Sequence, residues 1–540
     1  MELPRLTALC LAALLAVPAA RSRAEEGPLP AFPGAEGFGA VTPGGRGGRV
    51  IKVTSLGRSG PGSLQAACDA SGPRIVVFEV SGVIKGDVRI NQPFITIAGQ
   101  TAPGGGVTIN GMLSTAYRRS NAVHDVVVRF LRVRTVGGRG AAGDAIQFSI
   151  VDKAVLDHVS CSWAEDETID IFSKATNVSI QWCSVEESAV VGHEEGRHNY
   201  GMIAGRNSKR LSIHHNLFAH HARRIPAIGG GPVDFRNNVA YNFRDGMSHE
   251  GNYSGTPGIN IIGNYYKRGP SDPKIFPFCF LGKVPYYLRD NFIVGVGMVQ
   301  DPWAEAGKLQ GLRYYARRGT KQEEETPVAK VKTHPPEEAY KLVLARAGCF
   351  PRDAVTAQIL KETAAGTGKW GKQAPADLME GLKSGAEAPP YPDRDSDGMP
   401  DAWEKAHGLS PSDGSDHKKA VPTRYTAIES YCNQMAAWRI AGSPEERCPA
   451  KGSLEFSHLK PEVAGKPTGL PGGGARPAAV TAADAEPKVN PKAAKLYRSA
   501  RNAERQGMKD LAKLLYERLV KEHPDDPLAE KARKTLGRLD

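Results

Sequence analysis

Between residues 75 and 291 the chain keeps returning to the same kind of short β-branched run, and this return restricts its fold more than any other feature. The runs are Ile75–Val80, Phe94–Ala98, Val126–Val133, Ala154–Val159, Val178–Cys183, Leu211–Asn216, Val233–Asn238, Ile259–Asn264 and Tyr286–Asn291, with no helical pattern between them. Aligned by their ends, Val159, Cys183, Asn216, Asn238, Asn264 and Asn291 stand 24, 33, 22, 26 and 27 positions apart. A unit of this length with one clear strand cannot bury its apolar face alone; stacking on its neighbours does so. The expected fold class is therefore all-β, a right-handed parallel β-helix. The strands of a sandwich return every 8–12 residues or so, which sets that alternative aside. Four successive rungs end on Asn, so stacked amides should bond one another along the axis.

Stacking also gives a positional rule. Residues at equal places in successive rungs should lie about 4.8 Å apart on one face, which puts Asp157 in line with Gln181, His214 and Arg236. A polar column of this kind is expected to be an exposed, working face. Charge is sorted along it: nine acidic residues against Lys174 from Asp157 to Glu195, then seven basic residues against Asp234 from Arg197 to Arg236. An anionic pocket should thus adjoin a cationic groove. Crowded carboxylates call for a hard cation such as Ca²⁺ held by oxygen, with Asp157, Asp166 and Asp170 as candidate ligands; a solvated acidic loop fits the same spacing. The pairs His214-His215 and His220-His221 do not match zinc-ligand spacing. Strand alternation should send His214 and His215 to opposite faces, so ordinary rung positions are expected.

Several motifs together resemble the pectate lyase family. They are Val155-Leu156-Asp157-His158, Asp166-Glu167-Thr168-Ile169-Asp170-Ile171, and His214-His215-Asn216-Leu217-Phe218 leading into Arg223-Arg224-Ile225-Pro226. Phe32-Pro33-Gly34-Ala35-Glu36-Gly37-Phe38-Gly39 and Ile97-Ala98-Gly99-Gln100-Thr101-Ala102-Pro103-Gly104 resemble a bacterial branch of it. The resemblance spans roughly residues 30–295. It implies a right-handed parallel β-helix that cleaves polygalacturonate-like polyuronates by β-elimination, with Ca²⁺ on Asp157, Asp166 and Asp170 and with Arg224, two before Pro226, as the catalytic arginine. Two departures stand out. Gly229 occupies the place of a second family arginine, and Tyr200 that of a lysine which holds the substrate carboxylate. Arg206, Arg223 and Arg236 are the cations that would compensate, giving Tyr200, Arg206, Arg223 and Arg236 as expected substrate contacts. Two other readings stay open: a catalytically silent β-helix that binds acidic glycans or proteins, and a polygalacturonase-type hydrolase using paired carboxylates.

The ends of the chain differ in texture. Residues 1–24 have the layout of a secretory signal peptide: Arg5, the apolar run Leu6–Ala16, and small residues before a cut after Ala24. A secreted, extracellular or periplasmic protein without a membrane span is expected. The β-helix should occupy 25–300 and a wrapping and capping extension 301–390. Within 391–440, Asp393, Asp395, Asp397, Asp401 and Glu404 fall at positions 1, 3, 5, 9 and 12 of a loop with Gly398 at position 6. That is an EF-hand-like pattern for a structural Ca²⁺, with Met399 offering its carbonyl. Residues 441–490 look like a flexible linker, and 491–540 resemble a short tetratricopeptide-like helical segment, which could bind a protein partner or pack on itself. Seven scattered cysteines outlast the signal, a poor disulfide framework that leaves room for one or two bridges. The net charge of +12 is spread thinly, which argues against a nucleic-acid-binding domain. The expected partner is an acidic polysaccharide, and the expected state a monomer.

Overall fold

The computed structural model describes residues 27–115, 122–135, 143–205, 207–249, 257–280, 284–305, 319–371, 391–421, 423–441 and, beyond them, 490, 493, 496–497, 500–501 and 509–539. The expected signal peptide, nearly all of the expected linker, Arg206 and Cys448 lie outside the described residues.

The rungs stack into a parallel β-helix. The coils build three sheets, a first of 11 strands, a second of 10 and a third of 8. A representative coil runs Asp152–Asp157, Ser160–Ser162, Glu167–Phe172, and the next Thr176–Gln181, Ser184–Glu186, Tyr200–Ala204. Neighbours pair in parallel, apart from a closing antiparallel hairpin between Asn291–Ile293 and Gly297–Val299. Strand alternation sends Leu156, Ile180, Ile213 and Phe235 of the first sheet inward. There they meet Cys161, Val185 and Phe218 of the second sheet and Ile169 and Met202 of the third in one continuous core.

The asparagine ladder forms as the rung spacing requires. Asn216 Nδ2 donates to Asn238 Oδ1 at 3.0 Å, Asn238 to Asn264 at 3.2 Å and Asn264 to Asn291 at 3.0 Å. Each acceptor oxygen also takes the backbone N–H of the rung before it. The residue just before each ladder position turns the corner at positive φ: Phe130 at 54°, His158 at 53°, Trp182 at 53°, His215 at 56° and Asn237 at 53°. This bend overrides strand alternation. His214 and His215 do not part to opposite faces but meet Nδ1 to Nδ1 at 3.0 Å. The corner rings pile up instead, His215 on Trp182 at 4.4 Å and His158 on Phe130 at 4.8 Å.

What covers each sheet decides where chemistry can occur. The first sheet carries the column in the expected register, Asp157 beside Gln181, Gln181 beside His214 and His214 beside Arg236. It is not an exposed face, however: Asp157 and His214 are both 0% exposed. The N-terminal segment lies over it, with Phe38 N donating to Ser212 Oγ and Gly39 N to Ser179 Oγ. Residues 325–334 cross it too, and the helix Ala427–Ala441 packs on Ile75, Val77 and Ala98. The second sheet is covered by helices Pro336–Arg346 and Ala354–Ala365, whose Val343 and Ile359 pack on Leu217, Val239 and Tyr241. Among the described residues, helices Lys509–Glu522 and Pro527–Leu539 pack on each other through Tyr516, Leu519, Ala529 and Ala532. The six described cysteines are buried and unpaired, so none of them supplies a bridge. No described helix is long and apolar enough to cross a membrane.

Candidate active site on the third sheet

The outer face of the third sheet gathers carboxylates from two successive coils. Asp144 precedes the strand Ile146–Ser149, Asp166 precedes Glu167–Phe172, and Asp170 stands in the latter strand, in register with Gln147. Carboxylate oxygens of Asp144, Asp166 and Glu167 lie within 4.8 Å of one another. Gln147 Nε2 donates to Asp144 Oδ2 at 3.1 Å and reaches Asp170 Oδ2 at 3.5 Å, tying the group together. Burial, reinforced by the charges of Asp170 and Asp166, pushes the Asp144 carboxyl well above the usual carboxylate range. Asp166 goes the other way: burial opposes its charge, but hydrogen bonds from His193 and His198 hold it below that range.

Arg224 enters this cluster from the next rungs. It sits at φ +60°, in the left-handed region that non-glycine residues seldom adopt. Its guanidinium is ion-paired with Glu167 and lies 4.1 Å from the centroid of the Tyr200 ring. Tyr200 in turn stacks on His198 at 4.5 Å, and His198 lies 3.5 Å from His193, ring centroid to ring centroid. His198 Nδ1 is 3.1 Å and His193 Nε2 3.5 Å from the Asp166 carboxylate. The result is a continuous aromatic and cationic wall beside the carboxylates. At position 229, the Gly229 backbone donates to Ala204 O at 2.6 Å and the residue has no side chain to offer.

Two expectations need correction. Asp157 does not join Asp166 and Asp170, because its strand belongs to the first sheet. There it accepts from Arg129 Nε at 2.8 Å and Gln181 Nε2 at 2.8 Å, with His158 Nδ1 at 3.0 Å. Asp144 is the carboxylate that stands beside Asp166 and Asp170 instead. Arg236 also belongs to the first sheet, enclosed by Asp234 at 2.8 Å, Glu325 at 2.6 Å and Thr333 at 2.7 Å, and does not reach the third-sheet face. Arg223 does flank this face, half-exposed and paired with Asp245 at 2.9 Å.

Asp144, His193 and His198 were missed by sequence reasoning. The rung rule, applied to the third sheet, would have found Asp144: one turn back from Asp170 is Gln147, three residues after it. The two histidines had no comparable signal, since they reach Asp166 from a loop. Of the other histidines, His221 is an ordinary packed residue, bonded to Val185 O at 2.9 Å. His220 Nε2 lies 3.1 Å from Glu362, on the covered second-sheet side.

The C-terminal acidic loop forms a second, separate cluster. Asp393, Asp395 and Asp397 come within 4.8 Å of one another, and so do Asp397, Glu404 and Asp416. Gly398 turns the loop at φ +90°, where a Cβ would meet Val50 at 2.6 Å. Asp401 joins neither group, for its Oδ1 accepts the Arg394 N–H at 2.8 Å. The Met399 side chain is buried beside Trp403. Burial, then the neighbouring carboxylates, push Asp397 up to about 7 and Glu404 up to about 8.

Comparison with known proteins decides the family. The chain is 34% identical over 419 residues to the probable pectate lyase C of Aspergillus fumigatus, covering 75% of this chain and 94% of that one. The corresponding Aspergillus terreus protein is 34% identical over 421 residues, with the same coverage. This chain belongs to the pectate lyase family. It is a polysaccharide lyase of that type, which closes the silent-scaffold and hydrolase readings. The probable pectate lyase 13 of Arabidopsis thaliana is more distant, 28% identical over 252 residues. These fungal and plant relatives lend no weight to the bacterial branch suggested by the opening motifs. Similar solved structures include a thermostable pectate lyase (TM-score 0.42, 15% identity, 58% of this chain and 97% of that one). A pectate lyase bound to a hexasaccharide gives TM-score 0.43 at 13% identity, over 60% and 98%. No family model matches the chain.

Proposed function

We propose that this pectate lyase is a secreted, Ca²⁺-dependent enzyme that cleaves polygalacturonate-like chains by β-elimination on its third-sheet face. The observation that carries this reading is the meeting of Arg224, ion-paired with Glu167, with the Asp144, Asp166 and Asp170 carboxylates on the third-sheet face. The residues fit a hard cation: Asp144, Asp166 and Asp170 offer carboxylate oxygens, and the charges of Asp166 and Asp170 disfavour the charged form of Asp144. Asp144, Asp166 and Asp170 would hold it. Bound there, Ca²⁺ would screen the uronate carboxylate and stabilise the charge that develops on it as C5 loses its proton.

The protein's own groups supply the rest. Arg224 takes up the C5 proton; the electron pair left behind forms the C4–C5 double bond and expels the C4 oxygen. A guanidinium is normally charged and the Glu167 carboxylate beside it favours that charge; a cation held by the neighbouring aspartates would work the other way, toward the neutral form that can accept a proton. Glu167 and the Tyr200 ring fix the guanidine in place. Arg223 offers a charge to a substrate carboxylate in the region where family lysine and arginine are missing. Tyr200 offers its ring instead. The test is ultraviolet absorbance of the unsaturated uronate product, with polygalacturonate and with either Ca²⁺ or EDTA. Product formation with Ca²⁺ alone, abolished in Arg224→Ala, is expected; no product at any alkaline pH with Ca²⁺ overturns the reading.

A further inference from the structure

The C-terminal acidic loop is more than the local pattern its sequence suggests. Glu404 is 0% exposed, and neither of its carboxylate oxygens has a hydrogen-bond partner. Asp416, also 0% exposed, leaves Oδ1 unpartnered, and Asp397, 3% exposed, leaves Oδ2 unpartnered. A buried carboxylate oxygen without a donor is unfavourable unless a cation meets it. Asp416 comes not from the loop but from the short 3₁₀ turn Asp416–Lys418, which leads into the helix Ala427–Ala441. Its other oxygen is already used, accepting the Ser410 N–H at 2.9 Å.

We propose that Asp393, Asp395, Asp397, Glu404 and Asp416 form a cation bracket that fastens the helix Ala427–Ala441 over the first sheet. A site of five carboxylates, with neither nitrogen nor sulfur among the donors, suits Ca²⁺; Mg²⁺ keeps most of its water and seldom accepts so many protein ligands. The ion joins the 393–404 loop to the turn at 416, and each of these is tied to the β-helix. Lys52, on the first strand of the first sheet, holds Asp393 at 3.2 Å. Trp403, one residue before Glu404, donates to Gln434 of the helix. The helix itself is anchored by Arg439 Nε on Gln100 O at 2.7 Å, and its Ile428, Tyr431 and Met435 pack with Ile75, Val77 and Ala98. Without the ion, mutual repulsion among the carboxylates would loosen this whole lid. The proposal is independent of the lyase chemistry, because none of these residues stands on the third-sheet face.

The experiment uses the full chain and Ca²⁺ itself. Thermal unfolding is followed with Ca²⁺ and with EDTA for the natural protein and for Asp416→Asn, Glu404→Gln and Asp170→Asn. Ca²⁺ should raise the Tm of the natural protein by several degrees. Most of that rise should vanish in Asp416→Asn and Glu404→Gln and survive in Asp170→Asn. Hydrogen exchange on the natural protein needs no variant to fold: amides of 427–441 should exchange at least tenfold faster in EDTA. Below its melting temperature Asp416→Asn should keep its turnover with Ca²⁺, which separates this proposal from the fate of the lyase reading. A natural Ca²⁺-induced Tm rise in Asp416→Asn, or equal exchange of 427–441 with Ca²⁺ and EDTA, overturns it.

Discussion

The first and third sheets of this β-helix each carry polar and charged side chains on their outer faces, yet the two faces have opposite fates. On the first sheet, Asp157 finds Arg129, Gln181 and His158, and Arg236 finds Asp234 and Glu325, so the charges cancel locally beneath three covering segments. On the third sheet, Asp144, Asp166 and Asp170 crowd together, and the ordering cation, Arg224, is still 28% exposed. The first arrangement pairs its charges within the fold and contributes to folding. The second keeps an excess of negative charge that a cation and an anionic sugar can share. Burial of charge is therefore a poor guide to function unless its partners are counted.

This contrast can be broken by experiment. The largest effect is expected for Arg224→Ala, which should lower turnover by at least about 10³-fold, the scale of losing a principal electrostatic group. Thermal unfolding should be nearly unchanged. An active variant would make the two faces equivalent. Asp157→Asn should do the reverse. It leaves Arg129 and His158 without their buried partner and should cost about 3–5 kcal/mol in denaturant unfolding, with turnover at low temperature intact. A loss of turnover without loss of stability would return Asp157 to the active site. Asn238→Ala, in neither face, strips the ladder of one carbonyl and one amide and should cost about 1–3 kcal/mol; an unchanged midpoint would show that the ladder does not stabilise the stack.

The smallest effect sharpens the comparison through pH. Burial pushes His214, in the covered column, down to about 3. The unfolded chain binds a proton there below about 6.5, while the folded one does not until about 3. The contribution of His214 to stability is thus present in full above about 6.5 and is lost as pH falls towards 3. The Tm should drop over this window, and less so in His214→Gln. An identical pH profile in the variant would show that the covering segments do not seal the column.

The rung period, the Asn ladder and the register of Asp157 with Gln181, His214 and Arg236 were all legible in the linear chain. They follow from local spacing, because in a solenoid an equal place in the next repeat is a neighbouring place in space. That Arg224 and the 166–170 acidic stretch come together was legible too, since both lie along successive coils of one sheet. The role given to Asp157 was not, since spacing does not say which of three sheets a residue at a strand end shares with Asp166 and Asp170. Likewise, the divergence of His214 and His215 failed because the left-handed corner at His215 breaks the two-residue alternation of a strand.

By itself, then, the sequence determined the repeating architecture and the residue types of an acidic site beside an arginine, since stacking energy and charge are written into successive rungs. Tertiary structure alone decided which polar face has its charges paired beneath covering segments and which keeps its carboxylates crowded together. It drew Asp144, His193 and His198 to the third sheet, and it brought Asp416 to a loop that ends twelve residues earlier. These choices depend on segments far away in the chain, the N-terminal strap, the 325–334 crossing and the helix Ala427–Ala441. Where such segments come to rest is fixed by packing against the finished stack, not by any local pattern.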